Sequence, residues 1–214
     1  AAQSAGVIPI NMENDAIDAL CFTGHKSLYG PGGTGGIVLG SRFRQFSLKP
    51  VIAGGSGIRS FEKNHPQEMP TLFEAGTANV LGLIGLQAGI KYLQNIGMDK
   101  VESKLRNLTW RFYRGVKDIS GIKIYGDFSD QLAKRAPIVS LNLDDLPAGV
   151  VSDILSSEFD IATRPGAHCA PLIHQALGTE NQGIVRFSFS TMNSESDIDA
   201  GISAIKEIDR RYHA

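Results

Sequence analysis

Apolar positions follow two different spacings along this chain, and together they predict an α/β protein. Residues 17–22 and 37–39 are short apolar runs separated by a glycine-rich segment, which is typical of strands joined by a tight loop. From residue 80 onwards, apolar positions recur every three or four residues, as in amphipathic helices. Residues 51–70 are rich in Gly, Ser, Pro and Asn, so we predict a loop over a site there.

Two consecutive amphipathic helices are predicted in the middle of the chain, the first stopping at Gly97 and the second at Gly121. Each has one apolar face, which we expect to pack on a core. The face of the first helix is predicted to be Val80, Leu83, Ile84, Ala88 and Tyr92. The face of the second is predicted to be Val101, Leu105, Leu108, Phe112, Val116 and Ile119.

Shorter elements are predicted beyond Gly121, where the pattern changes. In order they are strands at 122–125 and 138–143, a helix from Pro147 to about Phe159, a strand at 161–163, a helix at 172–177, a strand at 184–189 and a C-terminal helix. The last helix follows Ser194, and Asp197 completes the spacing of a capping box. We therefore predict an α/β part up to residue 97, then a connecting helix that leads into a smaller α+β domain.

Composition and charge exclude several classes of function. The chain has 214 residues, of which 42% are hydrophobic, and its 21 basic and 22 acidic side chains leave a net charge of −1. This balance offers no electrostatic footprint for nucleic acid. No apolar run approaches the roughly 18–20 residues that a membrane span needs. Two cysteines cannot form a disulfide framework, which favours a reducing, cytoplasmic location.

The glycine-rich segment does not satisfy either common nucleotide-binding motif. Gly30, Gly32 and Gly35 match G-x-G-x-x-G, but the match runs into the apolar strand at 37–39. A dinucleotide fingerprint needs a helix N-terminus at that point to face the pyrophosphate. The P-loop pattern also fails because Lys26 follows a histidine and not a glycine.

Lys26 has an unusual position, in a glycine loop directly after an apolar strand. Lysine amines become nucleophilic when they are desolvated or lie near another cation, and they then form Schiff bases with aldehydes. Thr23 and His25 would be able to donate hydrogen bonds to an anionic group beside it. The alternative interpretation is an ordinary exposed loop lysine.

The two cysteines receive different interpretations. Cys21 lies among Ala, Leu and Phe, so we predict a core residue that acts as a small hydrophobe. Cys169 lies in a polar loop close to Arg164 and His168, just before a helix that Pro171 would open. Neighbouring cations and helix N-termini favour the nucleophilic thiolate. Cys169 is therefore either a reactive cysteine or a merely exposed one.

Arg186 interrupts an apolar strand. Facing inward it would need a carboxylate or phosphate partner, whereas on an edge strand it would point to water. His168 is either a functional residue or an ordinary loop histidine. The remaining histidines at 65, 174 and 213 have no ligand-like spacing with cysteines or carboxylates, so no metal site is predicted.

These motifs occur in one order that resembles a known family. They are Thr-Gly-His-Lys at 23–26, Tyr-Gly-Pro at 29–31, Phe-Glu-Ala-Gly-Thr at 73–77, the loop at 164–169, and Arg186. Together they resemble the class V aminotransferase family of pyridoxal 5'-phosphate (PLP) enzymes, in its cysteine desulfurase and selenocysteine lyase branch. The resemblance implies fold type I: residues 1–97 would be the C-terminal part of the large PLP-binding domain, with a mixed, mostly parallel sheet. Residues 98–214 would be the connecting helix and the small C-terminal α+β domain.

The resemblance also implies a set of site residues. Lys26 would form the Schiff base with PLP, and Thr23 and His25 would bind its phosphate. Gln3 would hydrogen-bond the phenolic oxygen of PLP, and Thr77 would reach the phosphate in the neighbouring subunit of a homodimer. Cys169 would be the nucleophile. The substrate-binding residues would be Arg186, which grips the carboxylate, together with His168 and Arg164.

The implied activity is release of alanine from cysteine or selenocysteine, with the sulfur or selenium left on Cys169 for a possible acceptor protein. Ala167 departs from the pattern, because many desulfurases of this branch carry a second histidine there. The aspartate that pairs with the pyridine nitrogen, a ring-stacking histidine and a phosphate loop would all precede Ala1. We therefore expect a C-terminal portion of a longer enzyme, inactive by itself.

Two alternatives remain at this stage. One is an aminotransferase or C–S lyase of the same fold that needs Lys26 and not Cys169. The other is a catalytically inert domain that serves dimerisation or interaction.

Overall fold

The computed structural model describes residues 1–131 and 134–212, without the side chains of residues 44 and 45. The chain divides into two compact units, Ala1–Met98 and Asp99–Ala214. The interpretation of residues 1–97 and 98–214 as parts of a large and a small domain stays a prediction.

The first unit contains one pair of strands and one long helix. Strand β1 (Ala19–Thr23) pairs with strand β2 (Gly35–Leu39), and Thr23 lies opposite Gly35. This pair is antiparallel, so the mostly parallel sheet expected for this part is not present among the described residues. The short glycine loop explains the difference, since a parallel pair needs a crossover of a dozen residues or more. Helix α1 (Val80–Ile96) follows a long segment whose only regular structure, within the described residues, is two 3-10 turns.

Helix α1 begins and ends as the sequence predicts, but its buried face is a different one. The Asn79 side chain caps the first turn by accepting a hydrogen bond from Gly82 N, and Gly97 ends the helix at a φ of 90°. The predicted face is wrong, because Val80, Leu83, Ile84, Ala88 and Tyr92 are all exposed. The buried residues are instead Gly82, Leu86, Gly89 and Leu93.

The second unit is an antiparallel sheet covered by helices. Its elements are α2 (Met98–Val116, whose first residue belongs to the first unit), β3 (Ile122–Tyr125), β4 (Ile138–Leu143), α3 (Ala148–Phe159), α4 (Pro171–Leu177), β5 (Val185–Ser188) and α5 (Glu195–Tyr212). The strands lie in the order β3-β4-β5. The strands predicted at 122–125 and 138–143 are confirmed, as are the four predicted helices, although α2 ends at Val116 and short of Gly121.

The core of the second unit forms where the predicted helix faces meet the sheet. Phe112 of α2 is fully buried, and its ring lies 4.5 Å from that of Phe187 on β5. Val139, Leu141 and Leu143 of β4 are also fully buried, as the alternation of that strand predicts. The predicted stripe of α5 is confirmed as well, with Ile198, Ile205 and Ile208 buried and Ile202 partly buried against the same core.

One predicted strand of this unit is wrong. Residues 161–163 have no strand structure. The chain instead pairs at Arg164, through an isolated bridge to Arg186 of β5, and at Gly166, through backbone hydrogen bonds with Ile184 just before β5. Within the apolar run at 161–163, Ile161 packs against the core. The pairing that follows this run holds the start of the loop of Cys169.

Candidate active site

Lys26 lies in a closed backbone loop directly after β1. Gly24 N–H donates to the carbonyl of Thr34 at 2.9 Å, and Gly30 N–H donates to the carbonyl of Gly24 at 2.8 Å. Tyr29 N–H closes a further turn by donating to the carbonyl of Lys26 at 3.0 Å. The side chain of Lys26 is exposed. The loop is thus fixed by its backbone while the amine faces solvent.

The glycines of this loop are required by the closeness of its strands. A Cβ atom on Gly24 would lie 2.3 Å from Thr34 Oγ1, and one on Gly30 would lie 2.9 Å from the Gly24 carbonyl oxygen. Both distances are shorter than any real Cβ contact, so a side chain at either position would open the loop. Thr34 is buried and donates a further hydrogen bond to the carbonyl of Pro31.

Helix α1 supports the lysine loop through its own glycines, which explains its unexpected buried face. A Cβ on Gly89 would lie 2.1 Å from the carbonyl oxygen of Leu28, and one on Gly85 would lie 2.6 Å from Pro31 Cγ. The loop backbone therefore rests directly on the helix, which only residues without a side chain permit. Leu86 and Leu93 are buried together with these glycines, whereas Leu81, Leu83 and Ile84 are left exposed.

Gln3 is held beside the same loop by the N-terminal segment. Ala1 N donates to the carbonyl of Cys21 at 2.6 Å. Five residues later, a Cβ on Gly6 would lie 2.3 Å from the carbonyl oxygen of Ser27. Gln3 lies between these two attachments and is exposed. The structure thus brings Gln3 to the strand end and loop that carry Lys26.

Thr77 is placed separately from these residues. It is exposed in the segment before α1, where Gly76 N–H donates to the carbonyl of Gly55 at 2.8 Å. Within the described residues, no hydrogen bond joins Thr77 to Thr23, His25 or Lys26. Its predicted role at a neighbouring subunit stays a prediction.

The groups around Lys26 suit a phosphorylated aldehyde. Lys26 offers a primary amine, His25 an exposed imidazole and Thr23 a partly buried hydroxyl, while Gln3 adds an amide. An amine is needed to condense with the aldehyde, and hydrogen-bond donors are needed for the phosphate and phenolic oxygens. The donor set and the fixed loop therefore fit PLP.

Cys21, predicted to lie in the core, is exposed, and that prediction is wrong. Directly opposite residues of an antiparallel pair place their side chains on one face, and Cys21 lies opposite Ile37. Ile37 is 45% exposed, so this face of the two strands is only partly covered at Cys21. The apolar neighbours of Cys21 in sequence gave no information about which face would be covered.

Cys169 lies in the second unit, in a loop that β5 and α4 hold on either side. It is exposed, and its sulfur accepts a hydrogen bond from Arg164 Nη2 at 3.2 Å. Arg164 is itself held by paired backbone hydrogen bonds with Arg186, at 3.2 and 3.0 Å. Pro171 begins α4 two residues later, as predicted. Arg164 thus places a cation in direct contact with the exposed sulfur.

Arg186 is partly buried and has no carboxylate partner among the described residues. Its Nε atom is buried without a hydrogen bond. Burial lowers the pKa of the Arg186 guanidinium, and the neighbouring Arg164 lowers it further. A guanidinium that is partly removed from water and lies beside a second cation is a good site for an anion such as a carboxylate.

His168 is engaged by protein groups at both ring nitrogens. Nε2 hydrogen-bonds the carbonyl of Arg164 at 2.8 Å, and Nδ1 lies 3.4 Å from Nε2 of His174. Burial lowers the pKa of His168, and the guanidinium groups of Arg186 and Arg164 act in the same direction, against the hydrogen bond to the Arg164 carbonyl. Its predicted role toward substrate stays a prediction.

His174 is the residue of this site that the sequence did not indicate. It is only 2% exposed, and its Nδ1 lies 2.9 Å from Thr179 Oγ1. The neighbouring Leu172 and Ile173 are exposed, so the helix shows no apolar stripe that would identify the buried position. The only signal was a second histidine six residues after His168.

The described residues contain neither a candidate metal site nor a candidate membrane-spanning helix. Within residues 1–131 and 134–212, no three His, Cys, Asp or Glu side chains are arranged to hold a metal ion, and His213 lies outside this range. In the same part of the chain, no helix combines the length and apolar composition required to cross a bilayer.

Comparisons with known proteins agree with the resemblance seen in the motifs. A probable cysteine desulfurase of Pyrococcus abyssi is 36% identical over 210 residues, which are 97% of this chain and 51% of that protein. A solved cysteine desulfurase of Thermococcus onnurineus NA1 is 33% identical with a TM-score of 0.87, covering 98% of this chain and 51% of its own. One from Escherichia coli is 28% identical with a TM-score of 0.82, covering 96% and 49%.

The chain thus spans about half the length of the relatives it matches. Its fold is that of part of a fold type I PLP-dependent transferase, as predicted. The family model described as "Aminotransferase class-V" matches residues 1–200, and the chain therefore belongs to the class-V aminotransferase family.

Proposed function

We propose that the full-length protein is a PLP-dependent cysteine desulfurase that converts cysteine, or selenocysteine, to alanine. The observation that carries the proposal is the exposed thiol of Cys169, in contact with Arg164 and beside the partly buried, carboxylate-free Arg186. The names of the relatives, which are cysteine desulfurases, support it.

PLP would be held by the residues of the first unit. Lys26 would supply the amine that condenses with the aldehyde, Thr23 and His25 would hold the phosphate, and Gln3 the phenolic oxygen. Thr77 would complete the phosphate site of the other subunit in a homodimer. When bound, PLP supplies a sink for the electron pair released at the substrate α-carbon.

Residues of this chain carry out the remaining steps, which are substrate binding and proton transfer. Arg186 binds the substrate carboxylate by a charge-assisted hydrogen bond. The Lys26 amine, once the substrate amine has taken its place, acts as the base that moves protons at the α-carbon. The fixed backbone of the lysine loop holds the point from which this side chain extends.

Cys169 performs the sulfur transfer. Its thiolate forms a bond to the substrate sulfur as the carbon–sulfur bond of the substrate breaks, and the electron pair of that bond returns to the β-carbon. The β-carbon takes up a proton, so that alanine leaves. Cys169 retains the sulfur as a persulfide, and no outside oxidant or reductant is needed. A protein acceptor for this sulfur, and a cytoplasmic location consistent with two free thiols, belong to the same proposal.

The proposal is tested by measuring alanine and sulfide released from cysteine by the full-length protein, with a thiol reductant present. Cys169→Ala is expected to remove sulfide release, because no other described thiol lies beside Arg164. Cys21→Ala, an equally exposed cysteine of the first unit, is the matched control and is expected to retain it. Equal activity in all three proteins would contradict the role of Cys169 and favour a C–S lyase.

A second measurement addresses the cofactor. The full-length protein is expected to take up PLP and show the absorbance of the bound coenzyme, and Lys26→Ala is expected to lose the lysine-linked form. Alanine or pyruvate formation from other amino donors would indicate an aminotransferase. A protein that takes up no PLP would instead support an inert domain.

A further inference from the structure

The turn that carries Cys169 has an unusual backbone. His168 and Cys169 both have positive φ values, 53° and 58°, in the left-handed region that residues with side chains rarely adopt. Two such residues in succession are the central pair of a type I′ turn, and Ala170 N–H closes this turn by donating to the Ala167 carbonyl at 2.8 Å. Before the turn, backbone pairing with the segment around β5 holds Arg164 and Gly166. The turn itself still needs an attachment to the elements on either side of it.

The side chain of His168 provides that attachment. It returns to the Arg164 carbonyl on one side and reaches His174 of α4 on the other, so it ties both ends of the turn together. His174 is buried and is anchored in turn by Thr179, whose N–H also donates to the His174 carbonyl at 3.0 Å. The result is a chain of hydrogen bonds from the Thr179 hydroxyl through His174 and His168 to the backbone carbonyl of Arg164. The side chain of the same Arg164 contacts the Cys169 sulfur.

The partners in this chain determine where its protons lie. A carbonyl only accepts, so Nε2 of His168 carries a proton and donates to Arg164. In neutral His168 the other nitrogen, Nδ1, must then accept, and Nε2 of His174 donates to it. Nδ1 of His174 accepts from the Thr179 hydroxyl. Every nitrogen is satisfied when both histidines are uncharged.

A charged His168 would disturb this arrangement. A proton on its Nδ1 would face the N–H of His174, and two donors would oppose each other until His174 moved its own proton to the Thr179 side. The surroundings of His168 also oppose a positive charge, since burial and the neighbouring guanidinium groups of Arg186 and Arg164 lower its pKa. Cys169 follows His168 directly in the same turn, and its sulfur accepts a hydrogen bond from Arg164 Nη2.

We propose that His174 is a positioning residue which, through His168, holds the left-handed turn of Cys169 in place and keeps the His168 proton on Nε2. His174 does not touch the substrate. It acts by keeping the Cys169 sulfur against Arg164, whose Nη2 donates to it at 3.2 Å. This inference extends the proposed function. Of its two tests, only the measurement of persulfide formation on Cys169 rests on that function.

Two substitutions separate the hydrogen bond from the volume of the side chain. In His174→Gln the carboxamide N–H can still donate to His168, whereas His174→Phe fills the buried space without a donor. The first measurement is the rate at which iodoacetamide alkylates Cys169 at neutral pH in the full-length protein, followed by mass spectrometry of the Cys169 peptide. The second is the single-turnover rate of persulfide formation on Cys169 from cysteine.

We expect His174→Phe to lower both rates by about tenfold, which is the effect of losing one buried hydrogen bond. His174→Gln is expected to stay within about twofold of the unsubstituted protein. Val151→Ala, a buried position of α3 outside the chain of hydrogen bonds, is the control for general loss of stability and is expected to change neither rate. Unchanged rates in His174→Phe, or equal losses in the Gln and Phe variants, would overturn the proposal.

If His174→Phe does not fold, Thr179→Val answers the same question, because it removes the hydroxyl that donates to His174 and leaves both histidines in place. A reduced alkylation rate in Thr179→Val supports the proposal, and an unchanged rate contradicts it. Alkylation also separates the two claims. If the full-length protein forms no persulfide but its alkylation still depends on His174, the proposed function fails while the role of His174 stands.

Discussion

The two units of this chain are stabilised in different ways. The second unit encloses a core in which Phe112, Val139 and Ile205 are fully buried, and it holds nineteen of the buried apolar side chains among the described residues. The first unit holds four, and it leaves large apolar residues such as Leu81 and Ile84 exposed. In the second unit, side-chain packing therefore supports the site. In the first, the lysine loop depends on backbone hydrogen bonds and on glycines that allow close approach.

The candidate site residues reflect the same difference. Lys26 is fixed by a closed loop whose carbonyls and amides pair with one another. Cys169 lies in a turn that side chains hold in addition to backbone hydrogen bonds, since Arg164 contacts its sulfur and His168 ties its turn to α4. A backbone-held loop tolerates a change of side chain on its surface but not a new Cβ within it. A loop that side chains also hold is expected to be sensitive to the loss of those side chains.

The largest expected effect comes from the core of the second unit. Phe112→Ala removes a fully buried ring that packs against Phe187 and Phe189, and we expect a loss of about 3–5 kcal/mol in the free energy of unfolding. Urea denaturation measures it. Leu172→Ala, at a side chain that is 77% exposed, is the control and should stay within about 0.5 kcal/mol. Similar losses in both would show that this unit is not stabilised by its core.

An intermediate effect is expected in the first unit, at a glycine. Gly89→Ala places a Cβ 2.1 Å from the Leu28 carbonyl oxygen, so α1 and the lysine loop must separate. We expect a loss of about 1–3 kcal/mol in unfolding free energy, together with weaker PLP uptake by the full-length protein. Gly149→Ala, in α3 with no atom within 4 Å of the new Cβ, should instead stabilise by up to about 1 kcal/mol. If both substitutions changed the free energy of unfolding in the same direction, the close approach of loop and helix at Gly89 would be contradicted.

The smallest effect concerns the cap of α5. Asp197 accepts from Ser194 N–H at 2.9 Å and its own N–H donates to Ser194 Oγ at 3.2 Å. The hydrogen bond from the Ser194 backbone, followed by those from the Asn193 and Ser194 side chains, lowers the pKa of Asp197. Because the folded pKa lies below the ordinary one, the charge stabilises the fold fully above the ordinary Asp pKa and ceases to do so as the pH falls through the lowered value.

Asp197→Asn is therefore expected to be less stable than the unsubstituted chain at neutral pH, with the difference disappearing in acid. Urea denaturation across the acidic range measures it. Glu180→Gln, an exposed carboxylate for which no hydrogen bond is found among the described residues, should show no such convergence. A difference that stays constant with pH would exclude the charge of Asp197 as its cause.

The second unit was the more predictable of the two, and particular elements show why. The stripe of α5 and its capping box are confirmed, as are the strands at 122–125 and 138–143, because each uses a short-range pattern whose apolar side meets one continuous core. The capping residues Ser194 and Asp197 are three apart in sequence, so their contact is local. The strand at 161–163 was wrong because its apolar residues serve the core without joining the ladder.

In the first unit, local pattern and burial disagreed. The apolar face assigned to α1 is exposed, since the side chosen for burial is the one whose glycines admit the lysine loop. Cys21 was assigned to the core from its neighbours, yet it shares an exposed face with Ile37. Periodicity reports which residues share a face of an element. It does not report which face another segment will cover.

By itself, the sequence determined the class of fold, the positions of most helices and strands, and the motifs that carry the family, because these depend on residues close together along the chain. Only the tertiary structure decided which face of α1 is buried, that Arg186 lies beside Arg164 with no carboxylate partner among the described residues, and that Nδ1 of His168 lies 3.4 Å from Nε2 of His174. These facts depend on segments far apart in sequence, or on the turn of a loop, meeting at hydrogen-bond distance. Such meetings are fixed by packing and backbone pairing, and no spacing of residue types encodes them.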